Sequence, residues 1–140
     1  MHEILFRGKR KDNGKWVEGH YGEYYNGKEN VSCISIPKET ISGSLCYDVI
    51  PETVGQYTGL TDKNGLTKVF EGDIVKYSEI DIDGSDLVGL GVISWNQKTA
   101  CFTISNGAYH DDFCQVLIEE IEVIGNIFDN PELIKEAEKI

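Results

Sequence analysis

Apolar and polar residues alternate along most of the chain with the period of two that puts successive side chains on opposite faces of a strand. The segments EILFRG (3–8) and KWVEGHYGEY (15–24) flank KDNG, and Asn13-Gly14 predicts a tight hairpin because both residues tolerate positive φ. In VSCISI (31–36), Val31, Cys33 and Ser35 alternate with Ser32, Ile34 and Ile36, and Pro37 ends or edges the strand by removing a backbone donor. LCYDVI reads as a further short strand, closed by Pro51. TVGQY follows as a strand in which Gly55 permits a bulge. TGLTDKNG then supplies turn chemistry, with Asp62 and Asn64 able to bond their own backbone and Gly65 able to take the left-handed conformation. LTKVFEG, DIVKYSEI, LVGLGVISW and ACFTIS predict four more strands, the first two broken at Gly72 and the last two joined around NQKT. FCQVLIEEIEVIGNIF supplies one or two closing strands, interrupted near Glu119-Glu120. Asn130-Pro131 starts a helix through PELIKEAEKI, with Asn130 as N-cap and Pro131 at its first position.

The predicted fold is therefore mainly β. A strand opening at Gly-Asp, a glycine-led second strand and a hairpin into a third give the pattern of a small, strongly bent SH3-like barrel, partly open, with additional N-terminal strands and a short C-terminal helix. One domain is expected over 1–140, made of an N-terminal β extension (1–50), a barrel-like core (51–128) and the helix (130–140). NGKWVEGHY and NGLTKVFEGDIV share an Asn-Gly and a later Glu-Gly, a faint internal echo that hairpin chemistry explains as well as duplication does.

Charge narrows the partners. The formal net charge is −11, of which residues 1–60 carry −1 and residues 61–140 carry −10. Nucleic-acid binding draws most of its affinity from Lys and Arg on phosphates, so direct binding is disfavoured; Arg7, Lys9, Arg10 and Lys11 flank a turn and read as a solvated strand edge. No apolar run approaches membrane-spanning length, and the charges of MHEILFRGKRKDNG follow its apolar patch instead of preceding it, so a cytoplasmic protein without membrane contact is expected. The cysteines at 33, 46, 101 and 114 form no C-x-x-C pair, which points away from zinc and toward reduced thiols acting as small buried hydrophobes.

No catalytic set is complete. In EIDIDG, Glu79, Asp81, Asp83 and Gly84 fit the first half of a calcium loop, but Leu90 stands where a bidentate glutamate belongs, which leaves a solvated acidic hairpin tip. In YHDD, His110 and Asp112 would share a face on a strand and could begin a metal site, although nothing fixes a third ligand and a polar loop is the simpler reading. Glu71 and Asp73 bracket Gly72, where Asp commonly accepts backbone N–H bonds, so a structural role is preferred to acid–base work. Gly89-Leu90-Gly91 is no dinucleotide fingerprint, and no nucleophile elbow is present. Trp16, Trp95, Tyr57 and Phe70 are read first as core aromatics, with Tyr57 the most exposed of them.

The blocks EILFRGKRKDNGKWVEG, VIPETVGQYTGLTDKNG, FEGDIVKY, GVISW and EVIGNIFDNPEL together resemble the YopX family, small proteins of phages and prophages. The resemblance runs over nearly the whole length and implies an SH3-type barrel portion and a phage origin, but no activity, cofactor or catalytic residue. Residues 25–48 and 78–87 match the pattern least. The expected function is thus a non-enzymatic protein-interaction module of the bacterial cytoplasm, with Gln56, Tyr57 and Asp62 as candidate contact residues. Two rivals stand beside it: a metal-dependent hydrolase using carboxylates near His110, and an acidic nucleic-acid mimic that occupies a host protein. Self-association is a further expectation, through the strands EILFRG and EVIGNIF or through the stripe of Leu133, Ile134, Ala137 and Ile140 on the last helix.

Overall fold

The computed structural model describes residues 3–37, 44–80, 86–105, 110–112 and 121–134. These residues are mainly β, arranged in two antiparallel sheets with no closed barrel among them. They divide into two compact units, residues 1–57 and 58–140, each with its own core.

In the first unit, β1 (Phe6–Lys9) and β2 (Trp16–Tyr25) form the expected hairpin, with Gly14 at φ +71°. The Asn13 carboxamide oxygen accepts from the Lys15 amide at 2.9 Å, as an Asx turn should. β3 (Asn30–Pro37) and β4 (Ser44–Asp48) continue the meander, giving the order β4–β3–β2–β1. A 3₁₀ turn over Pro51–Thr53 follows, and Gly55 and Gln56 then pair with Arg7 and Phe6 on the free side of β1. β1 is thereby flanked by strands on both sides. Thr53 locks this corner: its hydroxyl donates to the Ile50 carbonyl at 2.6 Å and accepts from the Lys9 amide at 2.9 Å. Val17, Ile34 and Val49 form the core, with Phe6, Ile36, Tyr47 and Val54 packed against it.

β5 (Gly55–Thr61) crosses into the second unit and extends further than predicted. The residues TGLT belong to the strand, and the turn is confined to Asp62–Gly65. The positive φ within the strand falls at Gly59 (+90°), not at Gly55. The Thr58 hydroxyl, donating to the Val69 carbonyl and accepting from the Leu60 amide, bridges the irregularity. In the turn, Gly65 has φ +71°, and its amide donates to the Asp62 carbonyl at 2.8 Å.

After β6 (Lys68–Phe70) the chain turns at Gly72, φ +92°, into β7 (Asp73–Ile80). β8 (Asp86–Asn96), β9 (Cys101–Ser105), β10 (His110–Asp112) and β11 (Glu122–Asn126) complete a sheet of order β10–β9–β8–β7–β11. YHDD is thus not a loop at residues 110–112: backbone pairing with Thr103–Ser105 makes those residues a strand. Val69, Val75, Tyr77, Ile93, Ile104 and Ile121 form the second core. The internal echo ends at its second half, because Gly19 lies inside β2 whereas Gly72 makes a turn. Residues 81–85 of the acidic loop, the chain at 113–120 with Cys114 and Glu119-Glu120, and 135–140 of the final helix lie outside the described residues.

Of that helix only Glu132–Ile134 are described. The side-chain oxygen of Asn130, its expected N-cap, accepts from the Asn126 amide at 3.2 Å, and its carbonyl accepts from the Leu133 amide at 3.1 Å. The Asn126 side-chain oxygen in turn accepts from the amides of Phe128 and Asp129. The run GNIFDNP is a self-bonded turn. Any side chain at Gly125 would strike the Asn130 carboxamide, whose oxygen lies 2.5 Å from where a Cβ would stand.

Candidate functional site

A depression in the first unit lies against β4. It has a volume of about 530 Å³ and is lined by Lys11, Asp12, Tyr24, Cys46, Tyr47 and Asp48. Strand alternation and register assemble it. Cys33 faces Asp48, and Ser35 faces Cys46, across the β3–β4 pair. Gly22 and Tyr24 face Cys33 and Val31 across β2–β3. Tyr24, Cys33, Cys46 and Asp48 therefore share one face of the sheet. Tyr47 points to the other face and packs on the core, so the hollow wraps around the β4 edge.

Hydrogen bonds organise these groups. The Tyr24 hydroxyl reaches across β3 and donates to the Asp48 carboxylate at 2.8 Å. That carboxylate holds the Tyr24 phenol above its ordinary pKa, because ionising the phenol would forfeit the bond and set two negative charges together. The Lys11 amide donates to the Asp48 carbonyl at 2.9 Å, which ties the β1–β2 turn to the end of β4. Arg10 binds the Asp12 carboxylate through Nε and Nη2, holding that carboxyl below its ordinary value, and its guanidinium lies 4.0 Å from the Tyr47 ring centre. Burial pushes the Cys33 thiol up to about 11, with the neighbouring Cys46 thiol adding to the effect. Cys33 is buried, but Cys46 is exposed and Cys101 half-buried, so the expectation of uniformly buried cysteines is corrected at both. Among the described residues Ser44–Asp48 is the outermost strand of its sheet.

The residues singled out from the sequence fall elsewhere. Tyr57 is only 7% exposed, which corrects its expected place on the surface, and Asp62 is 6% exposed. Gln56 is half-buried in the pairing with Phe6. Asp62 works on its own turn, its carboxylate accepting from the Asn64 amide at 3.1 Å. Phe70 is fully buried, whereas Trp95 is 44% exposed and meets Phe102 edge-on at 5.0 Å. Beside Trp95 is a smaller hollow of about 370 Å³, lined by Ser94, Asn96, Gln97, Lys98 and Thr103. Trp16 is half-buried, with Arg7 and Lys9 lying over its ring. Asp73 is buried and accepts from the Phe70 amide at 2.8 Å, the structural role read for it. His110 and Asp112 share a face of β10 by backbone position. Among the described residues no three His, Cys, Asp or Glu side chains are grouped to hold a metal ion.

Sequence reasoning missed Lys11, Tyr24 and Asp48 as a group. They come from three separate strands or turns, and no local motif marks them. The alternation in EGHYGEY and VSCISI sorts faces within each strand, but the register that brings Tyr24 over Asp48 is not written in either segment.

Two antiparallel sheets, built from meanders with separate apolar cores, define a small mainly-β protein. The family described as YopX protein matches residues 5–135, and the chain belongs to the YopX family. No curated protein matches the chain. Among the described residues no helix is long and apolar enough to cross a membrane.

Proposed function

We propose that the chain is a non-enzymatic module, encoded by a phage or prophage, that binds a basic protein partner as an extended segment laid along β4. The depression at the β4 edge carries this reading: it is walled by Tyr24 and Tyr47 and sits on the outermost strand of its sheet. An outermost strand offers backbone groups to an added strand, whose alternate side chains then enter hollows on either face. Tyrosine suits such contacts because it presents a large, stiff surface with one polar end. The net charge of −11 favours a basic partner through long-range steering. For residues 73–126 we propose an SH3-like barrel. The order β10–β9–β8–β7–β11 supports it, since a four-strand meander is joined by a last strand returning to the first. The bulge between Val123 and Gly125 supplies the bend that such a barrel needs.

Photocrosslinking tests the binding reading. A photoreactive amino acid at Tyr24, expressed in the host, should yield a discrete protein adduct that Asp48→Lys abolishes. Crosslinking at Tyr24 no stronger than at Gln97, in the other hollow, would remove the β4 edge as the contact.

A further inference from the structure

We infer that Cys33 and Cys46 are a dithiol–disulfide pair, a redox modification site that reacts with small-molecule disulfides. The inference is independent of the partner proposed above. Both cysteines lie on one face of the β3–β4 pair, two residues off direct register, because Cys33 faces Asp48 and Ser35 faces Cys46. Such diagonal neighbours lie within reach of each other's side chains. The Cys46 thiol is near enough to help raise the pKa of the Cys33 thiol. Gly22, opposite Cys33 on β2, places no side chain against the Cys33 sulfur. Closing an S–S bond from this diagonal register requires the two strands to draw together to the shorter separation a disulfide needs.

The two sulfurs have different access, and that assigns their order. Cys46 is exposed in the depression and Cys33 is buried beneath, so Cys46 meets the oxidant and Cys33 resolves the product. In the first step the Cys46 thiolate attacks one sulfur of oxidised glutathione, whose S–S bond breaks and releases one glutathione thiolate. In the second, Cys33 gives its proton to solvent and attacks the Cys46 sulfur, expelling the second glutathione thiolate. The protein loses two electrons to form one S–S bond, and oxidised glutathione gains two to become two thiols.

Treating the native full-length chain with oxidised glutathione, blocking free thiols with iodoacetamide and mapping tryptic peptides tests this. Cleavage after Lys28, Lys38 and Lys63 puts Cys33 and Cys46 on separate peptides. The expected product is peptide 29–38 joined to peptide 39–63 by a disulfide, with Cys101 and Cys114 alkylated. Cys33→Ser should strand the reaction at a glutathione adduct on Cys46 whose lifetime rises at least roughly tenfold over wild type. Cys46→Ser should leave Cys33 unmodified over the same period. A persistent glutathione adduct on wild-type Cys46, or Cys33 joined to Cys101 or Cys114 instead, would overturn the pairing.

Discussion

Gly65 and Gly72 both hold left-handed φ, but their surroundings differ, and so does the expected cost of replacing them. Gly65 has open space where a side chain would stand, whereas a Cβ at Gly72 would come 3.3 Å from the Phe128 ring. Gly65→Ala should lose about 1 kcal/mol from backbone strain alone, and Gly72→Ala more, because Phe128 must also move. Urea denaturation of both variants checks the order, and equal losses would contradict it. Ala100 is the converse case, a residue with a side chain at φ +53° in the β8–β9 turn. Ala100→Gly should stabilise by about 0.5 kcal/mol, relief of strain outweighing the greater freedom of the unfolded chain. Cys33 adds a pH dependence. Its thiol titrates near 9 when unfolded and is pushed up to about 11 when folded, so the folded state holds the proton more tightly. The associated stability is complete below about 9 and is lost as pH rises through about 11. Thermal melts at pH 8 and pH 11 should show wild type losing more than Cys33→Val does.

At the scale of elements, the β11 turn is the part of the family's sequence pattern that physical chemistry explains best. The Asn126 side chain accepts from two backbone amides and donates to the Asp129 carboxylate at 3.1 Å. The Ile127 amide donates to the Gly72 carbonyl at 3.0 Å, which fastens this turn to the one before β7. Asn126→Ala would leave two amides without their acceptor, and about 1–3 kcal/mol should be lost. Asn126→Asp keeps an acceptor and should lose less; denaturation midpoints of the two variants decide. The elements themselves were legible wherever a segment carried its own signal: Asn13-Gly14 for the first hairpin, alternation in VSCISI, the break at Gly72. TGLT was misassigned because glycine and threonine read as turn residues in isolation. Within the structure, the Thr58 hydroxyl and the positive φ of Gly59 accommodate them in a strand.

For the whole molecule, charge is the property that reaches furthest. If a basic partner is captured through Tyr24, its association rate should fall steeply between low and physiological salt while dissociation changes little. Stopped-flow mixing at two ionic strengths measures both, and a rate indifferent to salt would exclude electrostatic steering by the net charge of −11. The chain's division at residues 57 and 58 falls inside β5, a segment with no Pro-rich or charged linker to announce it.

Sequence alone determined the mainly-β class, most of the strands, the glycine turns and the YopX family, because each rests on signals confined to a few consecutive residues. The blocks quoted for the family lie within the stretch 5–135 that its pattern matches. The candidate site was decided by tertiary structure. Tyr57 and Asp62 looked available beside glycines, but burial depends on what packs over a residue, and they are 7% and 6% exposed. Tyr24, Cys33, Cys46 and Asp48 carried no signal as a group, because the chemistry arises from the register of three strands. Register is a long-range property: a shift of one residue would turn every one of those side chains to the opposite face.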